Sequence, residues 1–554
     1  MRGSAGWLLG VGPYAMLVGL CLVLYLPGIA AIPPLDRDEA RFAQATRQML
    51  ETGDFLRIRF QDEARNKKPA GIHWLQAISV SAFSSPEATA IWPYRLPSLL
   101  GGMAAVLLTL ALGTALFGEA SDPRRIAAIA AVLLASALGV VAEAHIAKTD
   151  AALLAAVVAG QGALGLAYVR ARAGRAVSGW IAIMFWTAEL AAIFLKGPPG
   201  PALVIATAAS LSIADGEWRW LRGLYPVAGV IALVVALMPW LIAIERATDG
   251  GFLAGALGQD LLMKLIGAQE SHGAPPFSYL LLALASFWPG SLLLVPAIVR
   301  GWRRLEVPAE RFLLAWLVPA WVLLELVPTK LPHYVLPLFP ALALLAAAAL
   351  ADGVRPPPAS WAGRLDVLVR VLWAVVGLGL AVLLVGLPLR FGGRIAIAGI
   401  LGAVLLLALA GALLRYRPGP GITTGLIAAL SFAFAVPAAL GVLPGLDRLW
   451  LSRAAATLVA KHPPAAGALL VAVGYSEPSL VFLLGTDLQL VTPRGAAAAL
   501  AGGGEALVSN REDAMFRQAL GARGLAVQPV GQVPGLDYSN GQRMVLTLYD
   551  VAPN

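Results

Sequence analysis

Residues 33–70 concentrate charge in an otherwise apolar chain: seven acidic and eight basic side chains, with too few apolar residues for a core of their own. Asp36-Arg37-Asp38-Glu39 sets three carboxylates within four residues, directly after Pro33-Pro34. Carboxylates so placed can act as a general base, offset positive charge on a reacting group, or offer Asp36 and Asp38 as oxygen ligands to a divalent cation. The same pattern also suits the first turn of a solvated helix, where the dipole favours acidic side chains. Downstream, Lys67 and Lys68 bring adjacent cations. Three short segments at the ends of apolar runs add His145, Lys148 and Asp150, then Lys196, then Lys330, His333 and Tyr334. Ionisable groups at membrane depth are costly and tend to mark substrate paths, although a lysine at a span end also snorkels to the interface. Their convergence on one side of the membrane points to a shared anionic site.

The elements that must position these residues are membrane spans. Of 554 residues, 59% are hydrophobic and 13% charged, with mean hydropathy +0.76, against roughly one-quarter charged in soluble domains. Runs long enough to cross a ~30 Å hydrocarbon layer number about thirteen, near 8–31, 92–117, 126–142, 149–170, 179–195, 198–214, 222–245, 276–299, 311–327, 333–351, 366–389, 394–414 and 421–443. The first reads as a retained signal anchor, being long for a cleaved leader and lacking a small-residue cleavage site. With the N-terminus cytoplasmic, the inside loops hold fifteen arginines from Arg124 to Arg417, whereas the short outside loops hold only Lys148, Lys196, Lys330, Arg390 and Arg394. That asymmetry fits the positive-inside rule and accounts for much of the net charge of +9 without nucleic acid. Cys21, the single cysteine, excludes an intrachain disulfide or a cysteine metal cluster.

The polar loop, 32–91, and a second outer segment, 246–275, are expected to lie on the membrane surface as amphipathic helices. In the first, Ala40, Phe42, Ala43, Ala45, Met49 and Leu50 recur at helical spacing between charges. Residues 1–443 thus form a transmembrane domain. Beyond them, 444–554 alternates strand-like runs at 468–473, 488–491, 506–509 and 544–549 with helical stretches near 451–462, 476–485 and 511–523, the pattern of a small α/β domain on the outer side. Gly502-Gly503-Gly504 reads as linker and no phosphate-binding loop is present.

Asp38-Glu39-Ala40-Arg41-Phe42, Gly53-Asp54-Phe55 and Lys67-Lys68-Pro69-Ala70-Gly71-Ile72-His73-Trp74 resemble the first outer loop of bacterial aminoarabinose transferases and their protein O-mannosyltransferase relatives. These enzymes take a sugar from a polyprenyl phosphate carrier. The resemblance extends to Thr149-Asp150, Phe194-Leu195-Lys196-Gly197 and Leu331-Pro332-His333-Tyr334-Val335-Leu336-Pro337. It implies a polytopic α-helical membrane protein of GT-C fold, with about thirteen transmembrane helices and a small C-terminal α/β periplasmic domain. By the same resemblance Asp38 is the catalytic-loop aspartate, with Glu39 beside it, and Asp150 the second acidic residue. Lys68 and Lys264, joined by Arg41 and Lys67, bind the carrier phosphate. Tyr334 lies near the sugar, with His333, Lys196 and Lys330 around the cavity.

The departures are informative. A family glutamate and histidine that belong to a zinc site correspond to Lys67 and Gln259, so no structural zinc is expected. Phe42 replaces a tyrosine, removing a hydroxyl from the sugar pocket. The expectation is a monomeric inner-membrane glycosyltransferase that moves a sugar from undecaprenyl phosphate to a periplasm-facing glycolipid such as lipid A or its core, with inversion. Transfer to secreted proteins, as in O-mannosyltransferases, and lipid or sugar transport are the alternatives; ionisable groups gathered at one face rather than the midplane, and the lack of an evident internal repeat, speak against transport.

Overall fold

The computed structural model describes residues 5–256, 258, 275, 277–392, 394–464 and 467–553. Lys264 and Gln259, two of the residues singled out above, lie outside the described residues.

Each apolar run falls on a helix or a bent helix pair. The first part of the chain forms α1 (Ala5–Tyr25), α2 (Asp38–Thr52), α3 (Gly71–Phe83), α4 (Trp92–Leu116), α5 (Pro123–Ser136), α6 (Leu138–Ala144), α7 (Asp150–Arg172), α8 (Gly179–Lys196), α9 (Pro199–Asp215) and α10 (Pro226–Ala247). Further helices include Pro308–Leu326, Phe339–Ala351, Trp361–Leu387, Ile397–Tyr416 and Pro420–Pro437. Among the described residues eight helices are long and apolar enough to cross a membrane, and up to ten spans result if the two bent pairs are each one span. In those pairs α5 and α6 meet at 61°, and Ser278–Ser286 meets Gly290–Arg303 at 119°. The remaining runs give the shorter apolar helices Val11–Tyr25 and Pro199–Asp215, and Pro308–Leu326, which carries Glu310, Arg311 and Glu325. This is a multi-pass membrane protein. The periphery is apolar, as a lipid-facing surface requires: only 11% of the apolar stretch of α10 is buried, and Val227, Val230, Ile231, Val234 and Val235 are exposed.

Where helices must touch closely the sequence supplies glycine, as membrane bundles do. A Cβ on Gly101 of α4 would come within 2.6 Å of the Ala152 Cα on α7, and one on Gly71 within 2.5 Å of the Phe194 carbonyl oxygen on α8.

The polar loop folds into α2 and α3, joined through a short antiparallel ladder of β1 (Arg59–Phe60) and β2 (Glu63–Ala64). Gly53 ends α2 in the left-handed conformation at φ 70°, a common C-terminal stop. The expected surface helix is more buried than its sequence suggests: Glu39, Gln44, Thr46, Arg47 and Gln48 are covered along with the apolar positions. Part of the cover is α3 and α4, where Thr46 meets His73 and Gln76 and Glu39 meets Arg95, and part is the C-terminal domain. Ala43 packs in one cluster with Val80, Tyr94, Ala147 and Phe482, while the Arg47 guanidinium donates to the Phe482 carbonyl at 3.0 Å and the Gln44 amide to Thr486 at 2.7 Å.

That domain opens with the helix Leu451–Lys461 and carries a sheet of β3 (Leu470–Val473), β4 (Gln489–Val491), β5 (Gly504–Ser509), β6 (Leu525–Asp537) and β7 (Gln542–Pro553) in the order β4-β3-β5-β7-β6. β3 runs parallel to β4 and β5, whereas β7 is antiparallel to β5 and β6. Its helices are Pro478–Leu484, Pro493–Ala499 and Asp513–Gly521. Strand β6 and the helix Pro493–Ala499 are additions to the sequence reading, and Gly504 opens β5 rather than lying in a linker.

Candidate active site

Asp38 is the first residue of α2, and the residue before it, Arg37, holds φ 64° and ψ −110°. For a side chain with a Cβ such a conformation costs roughly 1–3 kcal/mol and persists only when the surroundings impose it. One imposing contact is Glu39. Its carboxylate accepts from Arg95 Nε and Nη2, both at 2.8 Å, and from the Leu35 and Ala147 amides, also at 2.8 Å. Arg95 spends its remaining donors on the carbonyls of Ile29, Ile32 and Pro33. Both side chains are 0% exposed, so this buried pair ties the end of the first span, the start of α2 and the segment before α7 together.

Beside Asp38 opens a cavity of about 720 Å³. Its polar lining includes Asp38, Arg41, Lys67, Lys68, His73, Asp150, Lys196, His333 and Tyr334, and its apolar lining Leu237, Trp240 and Leu241 of α10 with Leu323 and Leu324. The volume and mixed lining suit a ligand with a charged head and a long apolar tail. Lys68 lies 5.2 Å from the centre of the Phe42 ring, which stacks on His73 at 5.3 Å.

Asp150 starts α7 and is held by three cationic or imidazole groups. Lys196 at the end of α8 hydrogen-bonds to its carboxylate, Lys148 Nζ is 3.5 Å from Oδ2, and His333 Nε2 is 3.9 Å from Oδ1. Lys148 in turn lies 3.0 Å from Glu143 and 3.2 Å from His333 Nδ1. Lys196 also sits over the Tyr334 ring at 5.3 Å. Burial by itself would raise the Asp38 carboxyl, but the nearby Lys68 and Lys148 ammonium groups outweigh it and hold the group below its ordinary value. His73 is pushed down to about 3 by burial first and by Arg65 and Lys68 second, so it lines the cavity as a neutral ring.

Of the residues singled out in the sequence, the cavity gathers Asp38, Asp150, Lys68, Lys67, Arg41, Tyr334, His333 and Lys196. It does not gather Glu39, whose carboxylate is consumed by Arg95 and two backbone amides. Lys330 also falls elsewhere: its ammonium donates to the carbonyls of Glu325 and Val327 at 2.7 and 2.9 Å, satisfying the end of the helix Pro308–Leu326. Asp36 and Asp38 diverge. The Asp36 carboxylate accepts from the Ser479 amide at 3.1 Å, and of the two only Asp38 lines the cavity. Among the described residues no three His, Cys, Asp or Glu side chains converge as a metal set.

The sequence reading passed over Arg37, Arg65 and His73 as cavity residues, and Glu143 as the partner of Lys148. A glutamate at the edge of an apolar run is itself the signal that would have found the last.

No family model matches the chain. The chain is 27% identical over 374 residues to an undecaprenyl phosphate-alpha-4-amino-4-deoxy-L-arabinose arabinosyl transferase of Pseudomonas fluorescens, covering 68% of this chain and 66% of that protein. It is 28% identical over 383 residues to the Erwinia tasmaniensis protein of the same name, with the same coverage. The chain thus matches 66% of the length of these relatives, just under two thirds. Among solved structures, ArnT from Cupriavidus metallidurans bound to undecaprenyl phosphate superposes with a TM-score of 0.73 at 18% identity, over 97% of this chain and 98% of that one. The fold is GT-C. The Archaeoglobus fulgidus oligosaccharyltransferase shares it more distantly, with a TM-score of 0.51 at 13% identity over 94% of this chain and 70% of that one. In this GT-C protein the cavity lies between the polar loop and the helices α7, α8 and α10.

Proposed function

We propose that this protein is an inner-membrane glycosyltransferase that moves a sugar from an undecaprenyl phosphate carrier to a glycolipid acceptor such as lipid A or its core. The observation that carries the reading is the single cavity wall shared by Asp38, Asp150, Lys68 and Lys196, supported by relatives named as undecaprenyl phosphate-dependent arabinosyl transferases. The cavity and the C-terminal domain face the periplasm in this reading, and the N-terminus the cytoplasm.

In the reaction the acceptor oxygen attacks the anomeric carbon, the bond to the carrier's phosphate oxygen breaks, and the proton of a hydroxyl acceptor ends on the departing phosphate, whereas a phosphate-oxygen acceptor carries none. Lys68, with Arg41 and Lys67 near it in the lining, takes up the negative charge on the departing phosphate. A carboxylate held below its ordinary pKa, as Asp38 is, is a weak base at neutral pH. Its part is to orient the acceptor and offset positive charge building on the sugar, more than to keep a proton. Attack opposite the leaving phosphate gives inversion. The apolar lining from α10 takes the first isoprene units of the carrier.

The test is transfer by purified protein, followed by mass spectrometry of lipid A from cells with and without it. The expected result is an added sugar mass that Asp38→Asn abolishes while the protein remains folded in detergent. Full turnover by that variant would sink the reading.

A further inference from the structure

The C-terminal domain does more than cover α2. Its β6–β7 turn reaches the residues immediately before the helix that begins with Asp38. The Asp36 amide donates to the Tyr538 hydroxyl at 2.7 Å, Arg37 Nη2 donates to the Ser539 carbonyl at 3.3 Å, and the Ser479 amide donates to the Asp36 carboxylate at 3.1 Å. The turn is itself fixed. Asp537 accepts from the Ser539 amide at 3.1 Å and from Asn540 at 2.8 Å, the Leu536 amide donates to the Arg448 carbonyl at 2.7 Å, and the Tyr538 ring packs edge-on against Trp450 at 6.1 Å. Ser479 is tied onward through Ser452 to Tyr475, at 2.6 and 2.8 Å.

Asp36 and Asp38 flank Arg37, whose backbone is in a conformation that α2 alone does not dictate. Two anchors therefore bracket it: the Glu39–Arg95 pair on the membrane side and the Tyr538–Asp36–Ser479 contacts on the domain side. With either released, Arg37 is free to relax toward an ordinary φ, and the first turn of α2 turns with it.

We propose that the C-terminal domain sets the position of the Asp38 carboxylate, with Tyr538 and Asp36 as positioning residues for the transfer reaction. The proposal rests on the reading of Asp38 as the catalytic carboxylate. Asp36 acts here as a hydrogen-bond acceptor, so its charge is dispensable and its shape is not.

The experiment compares Tyr538→Phe, Asp36→Ala and Asp36→Asn in the full-length protein, by steady-state kinetics and by amide hydrogen exchange over residues 33–42. Tyr538→Phe and Asp36→Ala are expected to speed exchange at 36–41 at least about tenfold, as loss of a local anchor does. They should lower kcat by about tenfold to a hundredfold, the scale of a small displacement of a reacting group, with KM for the donor within about twofold of the wild type. Asp36→Asn, which keeps an oxygen acceptor for the Ser479 amide, is expected to restore both. Unchanged exchange, wild-type kcat in the loosened variants, or an Asp36→Asn protein as slow as Asp36→Ala would each overturn the proposal. Should the wild-type protein transfer no sugar, the transferase reading fails while the exchange comparison still decides whether the domain holds this segment.

Discussion

Lys148 Nζ stands 3.2 Å from Nδ1 of His333. An ammonium has donors and no acceptor, so Nδ1 must accept and the ring proton belongs on Nε2, which faces Asp150. Glu143, 3.0 Å from the same ammonium, thereby reaches the cavity through Lys148. Glu143→Gln weakens the hold on Lys148 without changing the cavity lining. It is expected to lower kcat about tenfold or more with little change in donor KM, the pattern of an interaction that matters mainly in the transition state. Lys148→Met should do the same more severely, measured with the same donor and acceptor.

Glu39→Gln and Arg95→Met both break a fully buried ion pair. Removing one member of such a pair strands the other, at about 3–5 kcal/mol. Thermal unfolding in detergent should show a large drop for each single variant, and the activity that remains in folded protein should fall as α2 loosens.

Gly71→Ala is expected to be costly for its size. The added methyl would meet the Phe194 carbonyl carbon at 2.7 Å and its oxygen at 2.5 Å, and backbone cannot swing aside as a side chain can. A loss of about 1–3 kcal/mol is expected from overpacking of this kind. Because Lys68 precedes this contact and Lys196 follows it, donor KM should rise as well.

Stability should depend on pH through the domain contact. Burial raises the Asp36 carboxyl to about 6, against the opposing hydrogen bonds of Ser479 and Tyr538, and burial likewise raises Glu477 to about 7. A carboxyl whose folded value lies above its unfolded one binds protons more tightly when folded, so stability falls as pH rises from the unfolded value to the folded one. The thermal midpoint should therefore rise as pH is lowered from about 8 to about 5. Asp36→Asn should remove part of that slope and stabilise the protein at the alkaline end, by on the order of 3 kcal/mol for a shift of this size. A slope unchanged by Asp36→Asn would remove Asp36 as its source.

The helices and most of the cavity were legible in the sequence because hydropathy and span-end charges report directly on what a bilayer permits. Asp150 and Lys196 were found on the cavity for that reason, while Asp38 and Lys68 of the charged loop, which line it too, were reached through the family resemblance. Glu39 and Lys330 look the same in sequence, since an ionisable residue announces the need for a partner without saying whether that partner is a ligand or the fold itself. Arg95 and the carbonyls of Glu325 and Val327 are the answers. Burial of α2 was hidden in part because the surface covering Gln44 and Arg47, around Phe482 and Thr486, lies more than four hundred positions along the chain. Strand β6 escaped notice through Pro529, Gly531, Pro534 and Gly535, residues that weaken a central strand but are tolerated at the sheet edge it occupies.

Leu237, Trp240 and Leu241 of α10 line the cavity, while Val227, Val230, Val234 and Val235 on the same helix are exposed. One wall of the site therefore has hydrocarbon at its back instead of protein. The width of the chamber is then a shared property of the fold and of the bilayer, and acyl-chain length and lateral pressure act on the cavity as a neighbouring helix would in a water-soluble protein.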